Sequence, residues 1–261
     1  MKSIPHLLIF LFIISLAILP AGRALTIYGG SAGHITDPGG GLPWDNVGNT
    51  GVYLGAYTTG YWIITANHVG STGITLAGTA YTSVGGSALR IGTTDLLLYR
   101  IDVSGGTPTL SDLTISNLQP DSGQAVKMIG DGSGTMTWGN NTVNSYGSYN
   151  LGNPAETTFG LFTTYSDIAG EGQAQGGDSG GALFYEYASG SWWLSGILSG
   201  IGTSEGTPFT ASVAIAAYYG DIISIVGTKL SAVPEPATWA ALLGSMVLIV
   251  TLIVRRRRLS S

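Results

Sequence analysis

There is no cysteine anywhere in the 261 residues. Disulfides, a thiolate nucleophile and thiolate-bound zinc are excluded, so a secreted form would be held together by its core alone. Charge is scarce too, at 10% of residues, and positive charge is scarcest in the middle of the chain. Between residues 25 and 232 only Arg90, Arg100, Lys127 and Lys229 are basic, against fourteen acidic residues, a formal net charge of −10. Such a body repels phosphate, which argues against nucleic acid as a partner. Glycine follows no Gly-X-Y period, so a collagen-like helix is excluded. Long helical periods are missing as well: from Ile27 to about Pro208 the apolar residues come in short runs.

What is present is the vocabulary of short strands and tight turns. Glycine supplies 41 of 261 residues, with 13 Tyr and 6 Trp, where roughly 7% glycine is ordinary. With hydrophobic residues at 44%, the chain has enough apolar material to fold. Runs such as Val52-Tyr53-Leu54, Tyr61-Trp62-Ile63-Ile64, Asp95 to Ile101, Ala125 to Ile129, Gly181 to Tyr187 and Trp192 to Leu198 are separated by Gly, Ser, Thr and Asn. Strand-like segments at roughly 8–12-residue spacing predict an all-β sandwich or barrel. Over residues 213–226 the apolar positions Val213, Ala216, Ala217, Tyr218, Ile222 and Ile225 switch to helical spacing, which predicts one terminal helix. A linker between two halves is expected at 105–119, and the Gly- and Ser-rich stretch 130–152 reads as loop and hairpin.

The two ends are of different composition. Lys2, the 13-residue apolar run Leu7 to Leu19, Pro20, and the small residues Gly22 and Ala24 make a secretory leader over 1–24, with cleavage near Ala24. The run is too short to span about 30 Å of hydrocarbon comfortably. At the other end, 237–254 is 18 residues without a charge, just long enough to cross a bilayer, and Arg255, Arg256, Arg257 and Arg258 follow at once. Those arginines would stay on the cytoplasmic side and leave the acidic body outside. Pro234-Glu235-Pro236 stands just before the span, and the whole tail, 233–261, resembles the PEP-CTERM sorting signal of Gram-negative bacteria. The resemblance implies recognition by an exosortase after signal peptidase has acted, a transient stay in the inner membrane, and delivery to the cell surface or exterior. A plain single-span anchor is the alternative.

Two histidines remain beyond the leader. His34 lies in a Gly-rich stretch without apolar context and reads as a surface residue. His68 is presented at the end of Trp62-Ile63-Ile64-Thr65-Ala66-Asn67-His68, an apolar strand running into a small-residue turn. Far downstream, Ser179 sits in Gln175-Gly176-Gly177-Asp178-Ser179-Gly180-Gly181. A serine between glycines suits a nucleophile: a carbonyl can approach closely, and the amides of Gly177 and Ser179 can point at a developing oxyanion. Between them Asp95 opens Leu96-Leu97-Leu98-Tyr99, while Asp102, the other acid nearby, ends the strand. No His/Asp/Glu cluster has metal-ligand spacing, and no organic cofactor motif is present, so neither metal nor cofactor is expected.

These segments, in the order His, Asp, Ser, resemble the trypsin/chymotrypsin-like serine proteases over residues 27 to 228. Thr65-Ala66-Asn67-His68 resembles the family's Thr-Ala-Ala-His, and Gly177-Asp178-Ser179-Gly180-Gly181 its Gly-Asp-Ser-Gly-Gly. Leu194 to Gly200 resembles its cleft-lining strand. The resemblance implies an all-β fold of two six-stranded antiparallel barrels, at about 25–112 and 113–212, closed by the terminal helix, with the site between them. Val69 stands where the family's cysteine follows the histidine. Ile27-Tyr28-Gly29-Gly30 resembles the family's mature N-terminus, but Thr26 precedes it, so a tryptic activation cut is absent.

The implied function is that of a secreted serine endopeptidase acting on protein or peptide. Ser179 would be the nucleophile, His68 the base, Asp95 the acid that orients it, and Gly177 and Ser179 the oxyanion donors. Asp178 would order the oxyanion loop, and in the family can pair with a new N-terminal amine. The family's primary pocket falls on Gln173 as floor and Ser199, Gly200 and Ile201 as far wall, favouring a small or medium uncharged side chain; a shifted loop bringing in Glu171 would instead restore a basic preference. Two other readings stand beside this one: a catalytically silent surface or matrix binding protein on the same fold, and a serine esterase. Trp62, Trp192 and Trp193 read as core and rim rather than a ligand platform.

Overall fold

The computed structural model describes residues 24–132, 134–151, 156–227 and 229. The leader up to residue 23, the Pro234-Glu235-Pro236 motif and the span 237–254 lie outside the described residues. Among the described residues no helix is long and apolar enough to cross a membrane.

The second half closes into a barrel. Ala182–Ala188, Ala125–Gly130, Thr137–Tyr149, Thr158–Thr164, Thr207–Ala214 and Ser191–Ser204 pair antiparallel in that order, and the first also pairs with the last. Thr114–Ile115 adds a short parallel edge to Ser191–Ser204. Alternation sets which way each side chain points. Val126, Met128, Val143, Leu161, Leu183 and Leu198 fill the barrel, together with Leu25 and Ile27 from the N-terminal segment. Full burial of side chains of this size stabilises by about 1.5–3 kcal/mol each.

The first half does not close in the same way. Val47–Gly48, Gly51–Tyr57, Gly60–Thr65, Leu97–Arg100 and Leu89–Arg90 form an open five-stranded antiparallel sheet. Ile74–Leu76 and Thr79–Tyr81 make a separate hairpin, turned at Ala77 and Gly78 with φ of 45° and 81°. The expected six-stranded barrel is here a five-stranded sheet with a hairpin set against it. The strands that follow Thr65 are only two to four residues long, too short to carry an unbroken ladder around. Tyr53, Ile63, Ile74, Leu76, Tyr99 and Ile101 fill the space the sheet and hairpin enclose.

A third core lies between the halves. Val52, Leu54, Ile64, Leu96 and Leu98 face Ile129, Phe184, Leu194, Ile197 and Val213 across it. Both faces of these central strands are therefore buried, which is why they read as unbroken apolar runs rather than alternations. The terminal helix runs Tyr219–Val226 after a 3₁₀ turn at Ile215–Tyr218, shorter than the expected 213–226. Val213 and Ala214 belong instead to the strand Thr207–Ala214, where Val213 pairs with both Gly160 and Ile197. Ile222 and Val226 join the central core, and Thr59 Oγ1 donates to the Val226 carbonyl at 2.5 Å, tying the helix end to the first half.

Candidate active site

His68 follows the strand Gly60–Thr65 in a turn held by Val69 N–H to the Ala66 carbonyl and Gly70 N–H to the Asn67 carbonyl. The turn aims the imidazole at Asp95, at the entrance of Leu97–Arg100. Nδ1 lies 3.0 and 2.9 Å from the two carboxylate oxygens, and the His68 backbone N–H donates to Oδ1 at 3.0 Å. Ser199 Oγ donates to Asp95 Oδ2 at 2.6 Å. Asp95 is 2% exposed. Burial alone would raise its carboxyl, but the hydrogen bonds from His68 and Ser199 together outweigh it and hold the group below the usual range. The hydrogen bond to Asp95 raises His68 above the ordinary imidazole value, against the opposing effect of burial. Asp102 is exposed and occupied with the Ser104 N–H at 2.9 Å, so Asp95 is the acid that meets His68.

Ser179 stands on a loop shaped by its glycines. Gly177 and Gly180 have φ of 104° and 90°, open to glycine at no steric cost. A Cβ on Gly177 would meet the Gly132 carbonyl at 2.8 Å, and one on Gly180 the Thr50 carbonyl and Thr65 Oγ1 at 2.7 Å. Among the described residues the N–H groups of Gly177 and Ser179 find no acceptor, whereas those of Asp178, Gly180 and Gly181 are all bonded. Two free amides on one loop beside a hydroxyl are the equipment for holding an oxyanion. The Ser179 hydroxyl itself donates to the Ser199 carbonyl at 3.4 Å and makes no hydrogen bond to His68. Ser199 thus touches both halves of the site, Ser179 through its carbonyl and Asp95 through its hydroxyl.

Asp178, 1% exposed, fastens the loop from beneath. It accepts the N–H of Gln175 at 2.7 Å and of Gly132 at 2.9 Å, and that of Leu25 as well. Burial, partly offset by these donors, pushes its carboxyl up to about 6. The N-terminal segment that reaches Asp178 is thus Leu25, two residues ahead of Ile27. Ile27 pairs instead with Gly172.

A cavity of about 160 Å³ opens beside Ser179, lined by Ala174, Gln175, Gly176, Leu198, Ser199, Gly200 and Ile201. Ser199, Gly200 and Ile201, the residues expected on a far wall, are among its lining. Gln173 is not: it is 6% exposed, donates through Nε2 to the Phe209 carbonyl at 2.9 Å, and does not line the cavity. Its place is taken by Ala174 and Gln175, the next two residues. Glu171 is held elsewhere by the Ser166 and Ile168 amides at 2.6 and 3.3 Å. A larger hollow of about 480 Å³ runs past Lys127, Glu171 and Trp192 and contains none of His68, Asp95 or Ser179. His34 is less free than a surface residue: its ring packs 4.2 Å from that of Trp138, and Nδ1 bonds the Trp138 carbonyl at 2.9 Å. Trp62 is core at 3% exposure, while Trp192 and Trp193 are half-buried. The sequence reading missed Thr158 and Arg90, which bind the Asp95 loop, and Glu156, which binds Arg90; nothing local in the sequence marks them.

No protein-family model matches this sequence, and no curated protein matches it. Solved structures do match in shape. Neuropsin, a serine protease expressed in the limbic system of mouse brain, superposes with a TM-score of 0.55 at 16% identity, over 72% of this chain and 96% of that one. The Rv3671c protease of M. tuberculosis, in its inactive form, gives 0.50 at 14% identity, over 74% of this chain and 95% of that one. At such identities the likeness is one of fold: the chain is folded as the trypsin/chymotrypsin-like serine proteases are.

Proposed function

We propose that this chain is an exported serine endopeptidase. The observation that carries the proposal is the assembly at Ser179: a His68 imidazole paired with a buried Asp95, two unbonded amides, and a side-chain cavity. In the proposed reaction Ser179 Oγ attacks the scissile carbonyl carbon and His68 Nε2 takes its proton. The carbonyl oxygen becomes an oxyanion held by the Gly177 and Ser179 N–H groups. His68 returns the proton to the leaving amine as the C–N bond breaks, and an acyl-enzyme remains. Water, deprotonated by His68, then releases the acid and restores Ser179. Asp95 keeps Nδ1 protonated and stabilises the imidazolium. Proton transfer of this kind contributes about 10²–10⁴-fold in rate, and each oxyanion donor about 10²–10³-fold.

The cavity beside Ser179 supports a small or medium uncharged side chain before the scissile bond. Among the described residues its lining carries no charged group, so a buried cation there would lose its hydration with no ion pair in return. Export through the leader and exosortase handling of the Pro234-Glu235-Pro236 tail belong to the same proposal. One observation favours the silent binding protein instead: the Ser179 hydroxyl donates to Ser199 rather than to His68. Hydrolysis of casein and of a peptide library by the domain 25–232 separates the readings. Cleavage after small uncharged residues, lost in Ser179→Ala, supports the peptidase; a folded domain that turns over neither peptide nor ester supports the silent protein.

A further inference from the structure

The Asp95 loop belongs to the first half, yet two of its restraints reach into the second. The backbone N–H of Asp95 donates to Thr158 Oγ1 at 2.8 Å, and Thr158, 1% exposed, is the first residue of Thr158–Thr164. Two residues earlier, Glu156 Oε1 receives Arg90 Nη2 at 2.6 Å. The same guanidinium grips the loop itself, Nε to the Thr94 carbonyl at 2.7 Å and Nη2 to the Thr93 carbonyl at 2.8 Å. Thr94 in turn closes the turn on the Ile91 carbonyl through both N–H and hydroxyl. One short stretch of the second half therefore fixes the backbone on which Asp95 stands at two points. The guanidinium suits this work: its planar fork offers several donors in fixed directions.

We infer that Arg90, Glu156 and Thr158 are positioning residues, a latch between the two halves that sets Asp95, and through it His68, in register with Ser179. The inference rests on the peptidase reading for its consequence but not for its geometry. His68 and Asp95 ride on an open sheet and Ser179 on a closed barrel, so the register between base and nucleophile has to be held by contacts that cross from one to the other. The hydroxyl of Ser199 is one such contact, made to the Asp95 carboxylate; the latch is made to the Asp95 backbone, and neither substitutes for the other. The ion pair is partly exposed, with side-chain exposures of 31% and 20%, and an isolated pair of that kind contributes little to stability. Its value here is directional, since the same guanidinium holds the loop carbonyls. A displacement on the order of 1 Å at a reacting centre is worth up to about 100-fold in rate.

Thr158→Val keeps the side-chain shape and removes the acceptor; Thr158→Ser restores it. Glu156→Gln removes the charge at constant size. Thr158→Val is expected to lower kcat roughly ten- to a hundred-fold, and Glu156→Gln about tenfold, with KM within about twofold of wild type. Thr158→Ser should return kcat to near wild type. The second readout needs no turnover: the His68 titration followed by NMR of its ring protons, in an otherwise inactive Ser179→Ala background. Glu156 and Asp95 are the acids that raise His68, so its pKa should fall in Glu156→Gln. It should also fall in Thr158→Val, as Asp95 loosens, and recover in Thr158→Ser. Thermal unfolding of each variant identifies any that fails to fold. Wild-type kcat and an unmoved His68 titration in both Thr158→Val and Glu156→Gln would overturn the latch while leaving the peptidase reading intact. Undiminished turnover in Ser179→Ala would overturn the peptidase reading, and the NMR titration would still decide the latch.

Discussion

The half that carries Ser179 offers main-chain amides on a loop seated on one buried carboxylate, Asp178, and the half that carries His68 and Asp95 offers side chains held by other side chains. On the Ser179 side, a closed barrel presents two unbonded amides whose directions follow from glycine torsions at Gly177 and Gly180. On the other side, an open sheet of short strands delivers a histidine and an aspartate whose geometry depends on Ser199, Thr158 and the Arg90–Glu156 pair. Main-chain geometry is hard to perturb except by adding a Cβ. Side-chain geometry can be tuned one contact at a time, and it is there that the pKa of His68 is raised. Damage to the first kind should appear as lost stability and lost oxyanion binding, damage to the second as a shifted pH profile.

The largest expected effect treats the two halves alike. Ser179→Ala and His68→Ala should each lower kcat on a good peptide substrate by roughly 10⁵–10⁶-fold, and the double variant hardly further, because in the proposed mechanism nucleophile and base act as one unit. Additive losses in the double variant, measured by initial rates, would mean that the halves work independently.

A second variant probes the main-chain side alone. Gly180→Ala adds a Cβ at φ of 90° against the Thr50 carbonyl and Thr65 Oγ1 at 2.7 Å. It should lose about 2–4 kcal/mol of stability in urea unfolding, the strained torsion and the clash together. Thr50 and Thr65 belong to the first half, so this glycine is also a point of close approach between the halves. An unchanged unfolding midpoint would remove that close approach as a constraint.

Asp178 gives the comparison a pH signature. Its folded pKa of about 6 lies above the ordinary carboxyl value of 3.8. In a chain that keeps residues before Leu25, the folded form therefore holds a proton that the unfolded form has released. Its contribution is full below pH 4 and is lost as pH rises through about 6, a difference of about 3 kcal/mol. Urea unfolding from pH 4 to 7 should show this loss in the wild type and not in Asp178→Asn. If processing makes Leu25 the first residue, an ammonium replaces the amide beside Asp178. The carboxylate is then held ionised, and the difference between the two proteins should change sign, with stability lost as pH falls. The same slope in both forms would show that the Leu25 terminus does not meet Asp178.

Much of the site was legible because it lies in contiguous segments. Thr65-Ala66-Asn67-His68 and Gly177-Asp178-Ser179-Gly180-Gly181 each carry a turn and its functional group together, and Asp95 opens an apolar run whose pairing with Gly60–Thr65 brings it to His68. Thr158 and Glu156 were not legible. They lie 63 and 66 residues from Asp95 and Arg90, and only packing of one half on the other unites them. Gln173 was misplaced because a count of residues from Ser179 does not say which way a strand faces: one step along, Ala174 turns to the cavity and Gln173 turns away to Phe209. The helix is shorter than its apolar spacing implies because Val213 and Ala214 fit a strand as well as a helix, and strand pairing claims them.

The smallest expected effect concerns substrate choice. Ile201, 52% exposed, stands at the mouth of the cavity of about 160 Å³. Ile201→Gly should raise kcat/KM for Leu or Phe relative to Ala before the scissile bond by about tenfold, on the scale of one or two methylenes. It should leave the acid limb of the pH profile where it was, because no contact to Asp95 or His68 changes. An unaltered library profile would place the limiting wall elsewhere in the cavity.

The central claim is that the two halves meet to make Ser179 a nucleophile. Its most direct measurement is reaction of the domain 25–232 with a fluorophosphonate, followed by mass spectrometry of the modified peptide. The account predicts one phosphonyl adduct, on Ser179, absent in Ser179→Ala and slowed by several orders of magnitude in His68→Ala. A folded wild-type domain that takes up no phosphonate, or takes it up equally fast without His68, would contradict it.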